Sequence, residues 1–136
     1  YYQLKEAPMR PRPVQQPRPP FTLGAHGPRM LRIVAQYAET WNSFGTPAEL
    51  RERGAILDEQ CQALGRDPGT LRHSLYGWAS KMGIDPWASV AAFEDMLGIY
   101  GASGVNEYII DAPGPEQFDV VEKVAADVLP RLRAQE

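Results

Sequence analysis

From residue 21 onward, short apolar stretches alternate with longer amphipathic ones, and this alternation constrains the fold more than any other feature. Each short stretch is followed by a turn and then by apolar residues at three- and four-residue intervals, which is the spacing of a helix with one buried face. The predicted strands are 21–23, 40–43, 71–79 and 106–111. Successive strand–helix units of this kind build a parallel sheet, so the sequence predicts an α/β fold with about four β/α units.

The number of units indicates how much of a known architecture is present. A closed β/α barrel of the TIM type needs eight units, typically in about 250 residues, whereas this chain has 136. We therefore expect residues 21–136 to form half a barrel. Residues 1–20 contain six prolines, which disfavour a helix or a central strand and predict an extended arm. The step from Pro17 to Pro20 is alternatively a polyproline ligand.

Helix boundaries and buried faces can also be predicted. Pro28 is favoured at the start of the first helix, and Thr46 with Glu49 forms a capping box at the start of the second. Pro130 is expected to loosen the last turn of the fourth helix. The predicted buried positions, helix by helix, are Met30, Leu31, Val34, Ala35 and Ala38; Leu50, Leu57, Cys61 and Leu64; Val90, Phe93, Met96, Leu97 and Tyr100; and Phe118, Val121, Val124, Ala125, Val128 and Leu132.

Charge and cysteine content disfavour several classes of partner. A net charge of -3 and a pI near 5.4 predict no nucleic-acid partner and no binding to an anionic membrane. There is no apolar run of about 18 residues that would span a bilayer. Cys61 is the only cysteine, and no Cys/His cluster has metal-ligand spacing, so we expect no disulfide, no metal site and a cytoplasmic location.

The loops that follow the strands are where a β/α protein binds ligands. These loops are 24–28, 42–45, 79–85 and 111–114. Gly24 and Gly27 permit positive φ and close backbone approach, and the first loop leads into a helix N-terminus, which favours a phosphate. His26 or Arg29 would add a charged contact. The same residues also fit a plain tight turn without a ligand.

Several segments together resemble a known family. A proline-rich arm with a Pro-Val-Gln step at 13–15 leads into the glycine-rich turn and its helix, and the strings LGRDP, IYGASGVNEYIID and VAADVLPRLR follow at 64–68, 99–111 and 124–133. In this order and spacing they resemble the C-terminal half of luciferase-like monooxygenases, which are FMN- or deazaflavin-dependent oxidoreductases. One departure is Glu39-Thr40, where the family commonly has Asp-Gly before the Trp.

The resemblance implies a cofactor site. Residues matching the loop that receives the phosphate of FMN or of the deazaflavin through backbone amides are Gly24, Ala25, His26, Gly27 and Pro28. Residues matching the loop that borders the cofactor and the substrate entrance are Trp41, Asn42, Ser43 and Phe44. No catalytic residue can be assigned, because in the family the earlier strands supply most contacts to the reacting ring.

These matches lead to expectations about function. The parent protein is expected to be a flavoprotein oxidoreductase, a monooxygenase acting on a small organic substrate. Because Tyr1 is not an initiator Met, we expect the numbering to begin inside a longer protein and the chain alone to be nearly inactive. Open strand edges predict a homo-oligomer or association with a missing N-terminal half-barrel. The alternatives are a non-catalytic half-barrel binding or assembly module, or a product of expression or proteolysis without separate biology.

Four further residues have structural interpretations. His73 is expected to be structural or solvent-facing, and Cys61 to be a buried, inert thiol. Tyr76 and Trp78 share one side of a strand, so they either fill the barrel interior or pack under helices.

Overall fold

The four strands form one parallel sheet. In the computed structural model, which describes residues 3, 5–8 and 10–134, they are β1 (Thr22–Gly24), β2 (Thr40–Ser43), β3 (Arg72–Gly77) and β4 (Glu107–Ile110). Their spatial order is the order along the chain, β1-β2-β3-β4, and every neighbouring pair is parallel. The predicted α/β fold with a parallel sheet is confirmed.

Helices connect the strands and follow the last strand. They are α1 (Pro28–Tyr37), α2 (Pro47–Ala63), α3 (Ala79–Met82), α4 (Val90–Gly101), α5 (Phe118–Lys123) and α6 (Leu129–Arg133). The capping box before α2 is present: the Thr46 hydroxyl accepts from the Glu49 N–H at 3.3 Å, and the Glu49 carboxylate accepts from the Thr46 N–H at 2.7 Å. No helix in the described part of the chain is both long and apolar enough to cross a membrane.

One core holds the helices against one face of the sheet. Most of its members come from two strands and the three long helices, including Trp41, Leu75, Leu31, Leu57, Cys61, Phe93, Met96 and Tyr100, and the last helical segment adds Val124 and Val128. Because side chains alternate along a strand, the neighbours of Leu75 in β3 lie on the other face. There Tyr76 is 39% exposed. This second face would be the interior of a closed barrel.

Five positions predicted to be buried are exposed. Four are Met30, Leu64, Phe118 and Leu132, with 42%, 43%, 54% and 39% of their surface accessible. The fifth is Ala125. Leu64 follows the last residue of α2, so it lies beyond the helical face that carries Leu57 and Cys61. In the last helical segment only Val124 and Val128 are fully buried, because few elements lie beside it.

Three predicted boundaries were wrong. Gly24 was assigned to a loop but belongs to β1, where it pairs with Asn42. The strand predicted at 40–43 is present with those bounds, so the loop that was predicted to begin at Asn42 begins at Phe44. The predicted loop at 79–85 begins with α3 instead, and the first N–H of that helix, that of Ala79, donates to the Asp111 carboxylate at 3.2 Å. Pro130 was expected to loosen the last turn of its helix, but that turn, α6, is α-helical, and the wide π-helical turn precedes Pro130, at Val124–Val128.

The N-terminal arm is joined to the amino ends of the strands by one ion pair. The described residues of 1–20 contain neither helix nor strand. Arg18 donates to both carboxylate oxygens of Glu39 at 2.9 and 3.0 Å, and the Phe21 N–H donates to the same carboxylate at 2.6 Å. The hydrogen bond from Arg18, followed by that from Phe21, lowers the pKa of Glu39. Glu39, which departs from the family pattern, therefore fixes the arm to the sheet through its contacts with Arg18 and Phe21.

Candidate functional site

The loop between β1 and α1 is fixed to its neighbouring strand. The Ala25 N–H donates to the Asn42 carbonyl at 3.3 Å, and the Ala25 carbonyl accepts from the indole Nε1 of Trp41 at 2.8 Å. Ala25 and Trp41 are 3% and 2% exposed. The structure therefore places Trp41 in the helix-side core, where it positions the loop from behind.

In the described chain, the N-terminus of α1 has free space beside it and backbone N–H groups without an acceptor. Gly27 precedes the helix with φ -89° and ψ 153°, so neither it nor Gly24 uses the positive φ that the sequence suggested. A Cβ added to Gly27 would meet no atom within 4 Å. Among the described residues, no acceptor takes the N–H of Gly27 or Arg29, whereas those of Met30 and Leu31 both reach the Gly27 carbonyl at 3.0 Å. The predicted turn His26-Gly27-Pro28 thus ends at free backbone donors.

The other two long helices begin differently. In α2 the Thr46 side chain caps the N-terminus and Glu49 lies in the first turn. In α4 the Ser89 hydroxyl accepts from the Ala92 N–H at 3.0 Å. In contrast, α1 has no side-chain cap and no acidic residue in its first turn. Within the described ranges, α1 is the long helix whose N-terminal dipole is left for an anion.

The residues at the end of β2 point in different directions. Asn42 lies on the face away from the helices, and its Nδ2 donates to the Ser74 hydroxyl on β3 at 3.0 Å. Ser43 is 1% exposed on the helix side, and its hydroxyl has no hydrogen-bond partner in the described part of the structure. The Phe44 carbonyl accepts from Arg53 at 2.7 Å, and Gly45 follows with φ +138°.

Four rings form a continuous row across the carboxyl ends of three strands. The ring of His26 lies 4.3 Å from that of Phe44, Phe44 lies 5.3 Å from Trp78, and Trp78 lies 4.4 Å from Tyr76, all with edge-to-face geometry. We call His26, Phe44, Trp78 and Tyr76 the aromatic row. Sequence reasoning placed Tyr76 and Trp78 on one side of a strand but did not connect them with His26 and Phe44, although all four lie at or just after a strand end.

Both histidines have lowered pKa values, which favour the neutral imidazole. Burial, and after it the charge of Arg53, lowers the pKa of His26. Burial also lowers the pKa of His73, which packs edge-to-face on Trp41 with ring centroids 5.1 Å apart. Near neutral pH, His26 therefore contributes an uncharged imidazole to the site, and His73 lies under the sheet on its helix side.

Asp111 ties the two remaining loops together. Its carboxylate accepts from the Ala79 N–H at 3.2 Å, and its carbonyl accepts from the indole of Trp87 at 2.7 Å. Gln117 also donates to Asp85 at 2.7 Å. From the sequence, residues 111–114 were predicted only to form one of the loops that follow a strand. No group of three or more His, Cys, Asp or Glu in the described ranges is arranged to hold a metal ion.

Fold and site together define a protein of the β/α-barrel class, with an open helix N-terminus and an aromatic row at the carboxyl edge of its parallel sheet. Residues 1–80 match the family model of luciferase-like monooxygenases, and the chain belongs to that family. The resemblance inferred from the sequence is confirmed.

Solved structures show the same fold. The F420-dependent tetrahydromethanopterin reductase from Methanopyrus kandleri superposes with a TM-score of 0.64 at 15% identity, over 82% of this chain and 50% of that one. An F420-dependent secondary alcohol dehydrogenase in complex with an F420-acetone adduct gives a TM-score of 0.70 at 13% identity, over 91% of this chain and 52% of that one. The chain thus spans about half the length of these enzymes. Comparison with curated proteins found no match.

Proposed function

We propose that this chain supplies the phosphate-binding part of the cofactor site in a deazaflavin- or FMN-dependent oxidoreductase. We propose further that this oxidoreductase is a luciferase-like monooxygenase. The observation that carries the proposal is the N-terminus of α1. It combines free N–H groups at Gly27 and Arg29, open space beside Gly27 and no acidic side chain in the first turn. Membership of the family supports the same assignment.

The residues present fit a phosphate group. Backbone N–H donors and the positive end of a helix dipole favour an anion, and the Arg29 guanidinium adds charge at the same turn. Ala25 and Trp41 fix the loop before a ligand arrives, which lowers the entropy cost of ordering it. When bound, the cofactor would supply the redox chemistry, while these residues would anchor and orient it.

The cofactor's identity is a second part of the proposal. A phosphate site of this kind serves FMN and a deazaflavin equally. We place the deazaflavin first, because both fold neighbours are named as F420-dependent enzymes. Contacts to the reacting ring and the small organic substrate would include other strands, since a sheet of four strands is half of an eight-stranded barrel. A cytoplasmic location belongs to the same proposal, because the lone Cys61 is buried and suits a reducing compartment.

Matched ligand pairs test the phosphate assignment. FMN and riboflavin share one ring system and differ in the phosphate, so their affinities can be compared by quenching of flavin fluorescence. We expect FMN to bind at least about tenfold more tightly, because charge-assisted hydrogen bonds contribute about 1.5–3 kcal/mol each. F420 should be tested beside its phosphate-free analogue in the same way. Equal affinities within both pairs would contradict the proposal.

Two glycine variants localise the effect. Gly27→Ala places a methyl group in the proposed phosphate site without touching any protein atom. It should lower the affinity for FMN and leave that for riboflavin unchanged. Gly98→Ala is the control, since a Cβ there also meets nothing within 4 Å but lies on α4. If the chain is instead a non-catalytic assembly module, neither variant will change cofactor binding.

We also propose that the open sheet associates with further strands. In the part of the chain that the structure describes, β1 and β4 each have one unpaired edge, and unpaired edges favour pairing with another chain. Light scattering should detect a dimer or larger assembly at micromolar concentration. A monodisperse monomer would contradict this part of the proposal.

A further inference from the structure

The aromatic row is accessible at the carboxyl edge of the described half-barrel. Phe44 and Tyr76 have 43% and 39% of their surface accessible, and His26 and Trp78 are half-buried beside them. A contiguous set of exposed rings marks a binding surface more often than an isolated exposed residue does. Tyr76 is on the sheet face away from the helices, and the row follows the carboxyl ends of β1, β2 and β3, where β/α proteins bind ligands.

The row is held in place by contacts made through the backbone. Arg53 donates to the Phe44 carbonyl at 2.7 Å, and Asp111 accepts the Ala79 N–H directly after Trp78. These polar contacts fix the chain on either side of the rings and leave the rings free to meet a ligand. The edge-to-face geometry of each pair fixes the ring planes relative to one another.

We propose that the aromatic row is a subsite for a planar aromatic group of the substrate. The inference rests on the proposed function in one respect: it places this group beside the cofactor phosphate, because His26 belongs to both the row and the loop before α1. A planar ring can pack against the accessible faces and edges of Phe44, Trp78 and Tyr76. An aliphatic ring of the same size lacks the matching quadrupole.

Fluorine NMR of the whole chain tests the proposal. Labelling with 5-fluorotryptophan gives one signal for each of the three tryptophans, Trp41, Trp78 and Trp87. Titration with 2-naphthol should shift the Trp78 signal saturably and leave Trp41, in the core, and Trp87, in another loop, unchanged. Decahydro-2-naphthol, the saturated ring system of the same size, should produce no such shift. A response at Trp87 alone, or equal responses to both alcohols, would overturn the proposal.

A pair of phenylalanine variants provides the matched control. Phe44→Leu keeps an apolar side chain but removes the ring, and we expect a two- to tenfold loss of 2-naphthol affinity, about what one aromatic pair contributes. Phe118→Leu changes a phenylalanine that is 54% exposed and has no ring contact with the row, and should have no effect. If Phe44→Leu disturbs folding, seen as a shifted Trp41 signal, Tyr76→Leu replaces it. Unchanged affinity in a folded row variant would overturn the proposal.

Lumichrome, the flavin ring system without its phosphate-bearing chain, separates substrate from cofactor. A Trp78 response to lumichrome and none to 2-naphthol would overturn the proposal, because the row would then serve the cofactor ring. The outcome is independent of the phosphate site. If 2-naphthol shifts Trp78 while the affinities are equal within both the FMN–riboflavin pair and the F420 pair, the subsite stands and the proposed function fails. If Gly27→Ala weakens FMN binding while 2-naphthol leaves Trp78 unchanged, the proposed function stands and the subsite fails.

Discussion

The indole of Trp41 connects the core to the cofactor loop, so replacing it with phenylalanine should destabilise the protein. Its Nε1 donates to the Ala25 carbonyl at 2.8 Å, and both residues are almost fully buried. Trp41→Phe leaves that carbonyl without a partner and without water. An orphaned buried acceptor costs about 1–3 kcal/mol, and the smaller ring adds about 1 kcal/mol for lost packing. We therefore expect the free energy of unfolding to fall by about 2–4 kcal/mol.

Trp87 provides the matched control within the same chain. Its Nε1 also donates to a backbone carbonyl, that of Asp111, at 2.7 Å, but its side chain is only half-buried. In Trp87→Phe, water can reach the released carbonyl, so the loss should be about 1 kcal/mol or less. The two substitutions remove the same chemical group, and therefore the difference between them measures the effect of burial.

Urea unfolding followed by far-UV circular dichroism measures both losses without relying on tryptophan fluorescence. With a slope of about 2 kcal/mol per molar urea, a loss of about 2 kcal/mol lowers the midpoint by about 1 M. Hydrogen exchange should also be faster at the start of α1 in Trp41→Phe than in the parent chain. The reasoning is refuted if Trp41→Phe loses no more stability than Trp87→Phe at an unchanged slope.

Three other predictions follow from burial, backbone conformation and pKa. Leu57→Ala, at a fully buried position, should cost about 2–5 kcal/mol in urea unfolding, and Leu64→Ala less than about 0.5 kcal/mol. Gly45→Ala introduces a side chain at φ +138° and should lower stability by about 1–3 kcal/mol, whereas Gly27→Ala, with φ -89° and open space, should not. Burial lowers the pKa of His73 below its ordinary value of 6.5, so the unfolded chain binds a proton at this residue more readily than the folded chain does. The free energy of unfolding should therefore have its full value above pH 6.5 and decrease as the pH falls below 6.5. His73→Gln should flatten that part of the pH profile, and an unchanged slope would contradict the assignment.

The fold was predictable because its signals are local. The alternation of strand and helix patterns, the proline that opens α1 and the capping box at Thr46 each depend on a few consecutive residues, and all three are present. The burial predictions failed mainly at the ends of elements. Leu64 lies one residue past α2, where helical periodicity no longer determines which way a side chain points.

The candidate site was predictable only in part. The turn before α1 could be found from its glycines and its resemblance to a family. Its openness could not, because it depends on the absence of a cap and on the space around Gly27 in three dimensions. The residues predicted to form one loop also lie on opposite faces of the sheet. Trp41 and Ser43 face the core, while Asn42 faces away from it. A shift of one residue along a strand reverses the face, so a contiguous stretch of sequence cannot be treated as one site.

By itself the sequence determined the order of the strands and long helices, the parallel sheet and the family, since these follow from patterns and motifs of a few residues along the chain. Only the tertiary structure decided which side chains meet. His26, Phe44, Trp78 and Tyr76 come from three separate segments and form one row because parallel pairing places the carboxyl ends of β1, β2 and β3 side by side. That register, together with the polar contacts of Arg53 and Asp111 behind the loops, converts scattered aromatic residues into a single surface.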